Sequence, residues 1–363
     1  MARKMTKRYE FQPDYAVPPG ATLQETIDAL GMTQRDLALR TGLAAKTINE
    51  IVNGKAPITP ETSILLERVT GVPARMWNSL EANYREQLAR IGDRQRSESD
   101  LEWLKTIPTK ELMERGAIKD TDDNVQLLHA VLQFFGVGTL AQWEQLWDRP
   151  EVAFRRSRRF CAEAGALASW LRLGEIDAQR LAVKPYDKER FQSALSTIRK
   201  LTVERCETFE PRMIELAAEA GVAVVFVREL KKCPVSGAAR WLAPDKALIQ
   251  LSLRYKTDDQ LWFSFFHEAS HVLFDAKKRI YVDDGDSTDE REVRADRFAA
   301  EFLIPTEHND SLKALTTRNA IVSFASSIGI APGIVVGRLQ KEGVLKWATN
   351  LNDLKRRFRW KAA

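Results

Sequence analysis

Histidine is scarce in this chain, with four in 363 residues. Two of the four, His267 and His271, lie four positions apart around Glu268 in the run His-Glu-Ala-Ser-His. On a helix, positions i and i+4 share a face, so both imidazoles can reach one metal ion. Zinc (Zn2+) suits two imidazoles and one carboxylate, with a fourth position open to water. Glu268 is then placed to take a proton from that water, whose pKa a metal lowers toward about 7. The third ligand expected is Glu292, and Asp296, four residues further on, is expected to accept the distal N–H of a ligand histidine and fix its tautomer. The plainer reading makes the pair satisfied core histidines and the two acids a solvated helix face. It has to explain why half of the histidines fall at this spacing around a glutamate, upstream of a suitably spaced acidic pair. His129 and His308 read as ordinary residues, with His308 at most a transition-state donor.

The motif sits in an apolar stretch (Leu261, Trp262, Phe263, Phe265, Phe266, Val272, Leu273, Phe274), which predicts a helix over about 259–276. An acidic loop at 283–290 follows, then a second helix over about 290–303, stopped by Pro305. Ahead of the motif, residues 222–227 are a β-branched run and residues 247–253 alternate, so both read as strands. The segment between them holds Pro234, Gly237 and Pro244 and reads as a loop. Two strands followed by two helices make a small α+β unit. A substrate bound as an extended strand would lie along a sheet edge, for which 247–253 is the candidate, with the loop 234–241 as a specificity element.

A second constellation lies near the start. Thr33 is a good N-cap, and Gly42 in Thr41-Gly42-Leu43 stands where a left-handed residue is wanted. The next helix, 44–53, turns Ile48, Ile51 and Val52 inward and Lys46, Thr47, Asn49 and Asn53 outward, before Gly54-Lys55. Two short helices joined by such a turn set a recognition helix in the major groove of double-stranded DNA. Gln34 and Lys55 suit phosphates; Lys46, Thr47 and Asn49 suit base edges. The formal charge of +5 permits nucleic-acid binding without arguing for it.

These pieces predict a mainly α chain with a small α+β domain: a DNA-binding region over 1–95, a polar linker near 92–100, a helical middle region over 96–220, a metal-binding domain over 221–308 and a C-terminal helical region over 309–363 with a basic tail at 355–361. Cys161, Cys206 and Cys233 are few and widely spaced, which fits free thiols better than a disulfide frame. No window approaches 18 uninterrupted apolar residues and residues 1–11 are charged, so no membrane partner or secretory signal is read, and the expected location is cytoplasmic.

The segment MTQRDLALRTGLAAKTINEIVNGKAPITPETSILLERVTGVPARMWNSLEANY at 32–84 resembles the lambda-repressor-like (XRE) helix-turn-helix family, HigA-type antitoxins in particular. FHEASHVLF at 266–274 and EVRADRFAAEFLIP at 292–305 resemble the ImmA/IrrE metallopeptidases, and IGIAPGIVVGRLQKEGVL at 328–345 is similar to long HigA-type regulators carrying that domain. The resemblance implies a zincin-like domain with zinc on His267, His271 and Glu292 and with Glu268 catalytic. It also implies a homodimeric repressor that binds its own operator and neutralises a cognate toxin, with a peptidase that, where active, cuts regulatory proteins. Asp296 stands where that family more often has Asn, which leaves its role toward the histidine intact. Three functions stay open at this point: a regulator or antitoxin with a silent peptidase, an active site-specific endopeptidase that cleaves a repressor, a partner or itself, and a helical scaffold with an incidental zinc.

Overall fold

The computed structural model describes residues 15–147, 164–231, 233–275, 281–283 and 290–361. Cys161, most of the acidic loop and residues 1–14 lie outside them. Contacts divide the chain into two compact units, Met1–Leu101 and Glu102–Ala363.

The first unit is a set of helices, α1 (Pro19–Ala29), α2 (Gln34–Thr41), α3 (Ala45–Val52), α4 (Pro60–Thr70) and α5 (Ala74–Ser97). Thr33 closes the N-terminus of α2 by a reciprocal cap: its hydroxyl accepts from the Asp36 N–H at 3.1 Å, and the Asp36 carboxylate accepts from the Thr33 N–H at 3.0 Å. Gly42, with φ 75°, ends α2 in the left-handed region and turns the chain into α3. Leu23, Ile27, Leu37, Ile48, Ile51, Leu66 and Trp77 form the core. The polar run expected to be a linker from Gly92 is helical as far as Ser97 and then tightens into a 3-10 turn at Glu98–Thr106. Arg, Gln and Glu are good helix formers, no proline interrupts them, and a single Gly92 costs too little to break the helix.

In the second unit, α6 (Thr109–Glu114), α7 (Asn124–Phe135), α8 (Leu140–Trp147), α9 (Ala164–Gln179), α10 (Lys188–Lys200) and α11 (Cys206–Ala218) lead into a sheet of β1 (Val222–Phe226), β2 (Gly237–Ala243), β3 (Lys246–Leu251) and β4 (Tyr281–Asp283). The motif helix α12 (Asp258–Phe274) precedes β4, and α13 (Glu290–Leu303), α14 (Asn309–Lys313), α15 (Arg318–Ile328) and α16 (Pro332–Lys341) follow it. The strand order is β1-β3-β2-β4, with β1 parallel to β3 and the other pairs antiparallel. This corrects two expectations. Residues 237–243 are a strand and not a loop, and β3 is paired on both sides and is not an edge. Gly-Ala-Ala-Arg-Trp-Leu-Ala has no β-branched residue to announce a strand. It becomes one because the Pro244-Asp245 turn folds it back onto β3, where tertiary pairing outweighs local propensity.

Alternate residues of the sheet enter two cores, as the period of a strand requires. Val222, Val224, Ala239, Ile249 and Leu251 pack with Phe191, Phe209, Trp262, Phe265, Phe266, Ile321, Val335 and Leu351. Ala223, Val225, Ala238 and Leu248 pack on the other side with Ala166, Leu167, Trp170 and Leu171 of α9. Segments on either side of 221–308 therefore share its core. Part of the basic tail is likewise internal: Lys355 donates to Asp259 at 2.7 Å and Arg356 to Asp258 at 3.3 Å, fixing the start of α12. Lys355 and Arg356 are thus engaged in holding the start of α12.

Residues Asn124–Trp147 are long and apolar enough to cross a membrane by length and composition. In the structure they are two helices broken at Gly136 (φ 69°), with Trp143 packed edge-on against Phe135. Cys206 is half-buried and Cys233 is buried, and neither is in a disulfide.

Candidate metal centre and DNA-facing helix

Two packed helices carry the site. Trp262, Phe265, Phe266 and Ala269 have no exposed surface and lock α12 against the sheet and its helical cover. Ala295, Ala299 and Leu303 bury one side of α13, and Phe302 stacks on Phe266 at 4.9 Å, so the first turns of α13 lie beside the motif. The packing brings three donors together. His267 Nε2 is 3.0 Å from Glu292 Oε2, His271 Nε2 is 3.5 Å from Glu292 Oε1, and the two Nε2 atoms are 3.2 Å apart. Tetrahedral zinc with ligand bonds of 2.0–2.1 Å separates its donors by about 3.3 Å. His267, His271 and Glu292 form the group able to hold a metal ion among the described residues, and their donor chemistry and spacing fit zinc.

The far nitrogens explain why those faces converge. His267 Nδ1 lies 2.9 Å from Asp296 Oδ1, and His271 Nδ1 lies 2.6 Å from Asp275 Oδ2. When a neutral ring gives its Nδ1–H to that carboxylate, its Nε2 lone pair is left for a metal, and the two Nε2 atoms face a common point. Arg294 pairs with the other oxygen of Asp275. Asp275 and Arg294 were absent from the sequence reading. Asp275 was discoverable, because it stands four residues after His271 and so shares its face.

Burial works against a charged His271 ring. Hydrogen bonds to Asp275 and Glu292 and the charge of Glu268 outweigh it, and its pKa rises to about 9. Burial would also raise Glu292, but hydrogen bonds from His267 and His271 reverse this and hold it at about 2. In the metal-free protein His271 therefore keeps its proton near neutral pH, whereas zinc requires the neutral ring. Zinc binding at about pH 7.5 should release about one proton per chain, and affinity should climb about tenfold per pH unit until His271 titrates near 9. Calorimetric titration in two buffers of different ionisation enthalpy measures this; a heat independent of buffer would contradict it.

Glu268 has no exposed surface and lies against β2, where its carboxyl group adjoins Gly237. His308 packs its ring on Phe324 at 5.6 Å.

In the first unit, Ile48 and Ile51 anchor α3 with at most 1% exposure. Lys46 is exposed and 3.8 Å from Glu50; Thr47 is half-buried; Asn49 is exposed, with its amide 3.4 Å from Gln34 Oε1. Gln34 is steadied by Gln24 at 2.7 Å, a contact the sequence did not suggest. Asn53 folds its amide back onto the Asn49 carbonyl at 2.7 Å, and Lys55 is exposed just beyond the helix. Gln34 and Asn49 thus form one polar surface across the turn.

The family profile described as helix-turn-helix matches residues 23–77, and that of the IrrE N-terminal-like domain, a peptidase family, matches residues 203–322. An uncharacterized HTH-type transcriptional regulator of Escherichia coli K12, YddM, is 36% identical over 63 residues, which span 17% of this chain and 67% of that protein. The chain belongs to the XRE-type helix-turn-helix regulators. Behind that domain the regulator carries an IrrE N-terminal-like peptidase domain. A solved addiction module antidote protein of a HigA family from Coxiella burnetii is 25% identical over 24% of this chain and 91% of its own, with a TM-score of 0.21. The second match encloses His267, Glu268, His271, Asp275, Glu292 and Asp296. It leaves out α9, α10 and α16, which complete the regulator's cores.

Proposed function

We propose that this regulator binds operator DNA as a homodimer through α3, in the cytoplasm, and that its second unit is a zinc-dependent endopeptidase restricted to a regulatory protein partner. The carrying observation is the convergence of His267, His271 and Glu292, with each imidazole oriented by its own carboxylate. His267, His271 and Glu292 would hold the ion, and a zinc bound there would supply Lewis-acid polarisation of a carbonyl and a lowered pKa for water. Glu268, next to His267 on α12, would accept that water's proton at its carboxylate and return it to the leaving amine. Asp275 and Asp296 keep the two rings in the tautomer that leaves Nε2 free to bind metal. Since β3 is internal, an extended substrate has to add at an outer strand of the sheet, and main-chain pairing there accepts any sequence. Selectivity must then come from surfaces around the cleft. The narrower role of an antitoxin, which neutralises a toxin and represses its own operon, is supported by the resemblance at residues 32–84.

Gel shifts on the DNA upstream of the gene test the first half. Asn49→Ala should cost about 1–3 kcal/mol at the specific site through loss of a bidentate base contact. Lys55→Ala should weaken all sequences alike and reduce the salt slope by about one. No change for Lys46→Ala combined with Asn49→Ala would remove α3 as the reading helix.

A further inference from the structure

Gly237 is the first residue of β2 and pairs with Leu251 of β3 on one side and Asp283 of β4 on the other. Its φ lies outside the left-handed region, so the backbone does not call for glycine. Glycine within a paired strand weakens it and marks a place where something approaches closely. Here the approaching group is Glu268. A Cβ on residue 237 would stand 2.7 Å from Oε1, 2.8 Å from Cγ and 3.1 Å from Cδ of that side chain. Carbon atoms pack best at about 3.5–4.0 Å, so the whole carboxyl group would have to retreat by more than about half an ångström. Rotating the oxygen alone would not suffice, because Cγ is met as well. The side chain has no exposed surface, so any retreat pushes against protein atoms.

We propose that Gly237 is a positioning residue for Glu268: the side chain missing from β2 is the space that the carboxylate occupies, and the strand fixes how far that carboxylate stands from the metal ligands. The catalytic consequence rests on Glu268 being the proton acceptor; the steric one does not. Misplacing a reacting group by about 1 Å costs on the order of 100-fold in rate.

The experiment compares full-length wild type, Gly237→Ala, Glu268→Ala and the double variant by urea denaturation, with zinc content measured alongside. Gly237→Ala should lower the midpoint when Glu268 is present and leave it unchanged or raised when residue 268 is alanine, with about one zinc per chain throughout. Equal shifts in the two backgrounds would overturn the proposal. If Gly237→Ala alone fails to fold, the double variant should fold, and failure of both would also overturn it. On a substrate cleaved by wild type, Gly237→Ala should lower kcat about 100-fold with KM held. In the Glu268→Asp background, whose carboxylate is one methylene shorter, the same substitution should cost little. An unchanged kcat would overturn the positioning role. A wild type that cleaves nothing would defeat the peptidase reading and leave the denaturation cycle to decide the contact.

Discussion

Purified protein should carry about one zinc per chain, and His267→Ala or His271→Ala should bring the metal to background. Each substitution removes one of three protein donors whose mutual spacing already matches a zinc shell. The loss should exceed that of an orienting residue: Asp275→Asn keeps all three donors and should weaken affinity by only about 10- to 100-fold. Glu268→Gln should keep the metal, because Glu268 is not among the converging donors. Elemental analysis after dialysis against a weak chelator reads wild type and all four variants. Full zinc in the His271→Ala protein would dismantle the site as described.

Glu268→Gln should abolish most cleavage while leaving metal content and fold intact. General-base catalysis contributes about 10²- to 10⁴-fold, and a glutamine of the same shape cannot take up the proton. The change should fall on kcat, since the buried carboxylate sits beneath β2 rather than along a surface where substrate binding energy is gained. Incubating wild type and variant with the product of the neighbouring gene, and separately with casein, reads rate and restriction together. Activity within tenfold of wild type in the variant would remove Glu268 as the base. Comparable cutting of casein and partner would remove the restricted specificity.

The reach of the sequence followed the range of the interactions involved. His267, Glu268 and His271 were legible because helical periodicity is local: an apolar run sets the helix, and the i, i+4 spacing sets the shared face. The same locality exposed the Thr33 cap, the Gly42 turn and the inward Ile48 and Ile51 of α3. Glu292 and Asp296 could be nominated by their own spacing, but their approach to His267 depends on α13 packing across α12 through Phe302 and Phe266. β2 could not be read. Its residues have weak strand preference, and pairing with β3 made it a strand, which in turn moved the sheet edge away from 247–253. Gly237 looked like loop punctuation for the same reason, and only a folded neighbour more than 30 residues away shows that its missing side chain makes room for Glu268. Lys355 and Arg356 looked like a free basic tail because charge is usually solvated; buried Asp258 and Asp259 supply partners that no local pattern reveals. Local spacing fixed which groups could do chemistry. Tertiary packing decided how far apart they stand, which carboxylate lies against each ring and which strand confines Glu268, because those distances are set by contacts between segments remote in the chain.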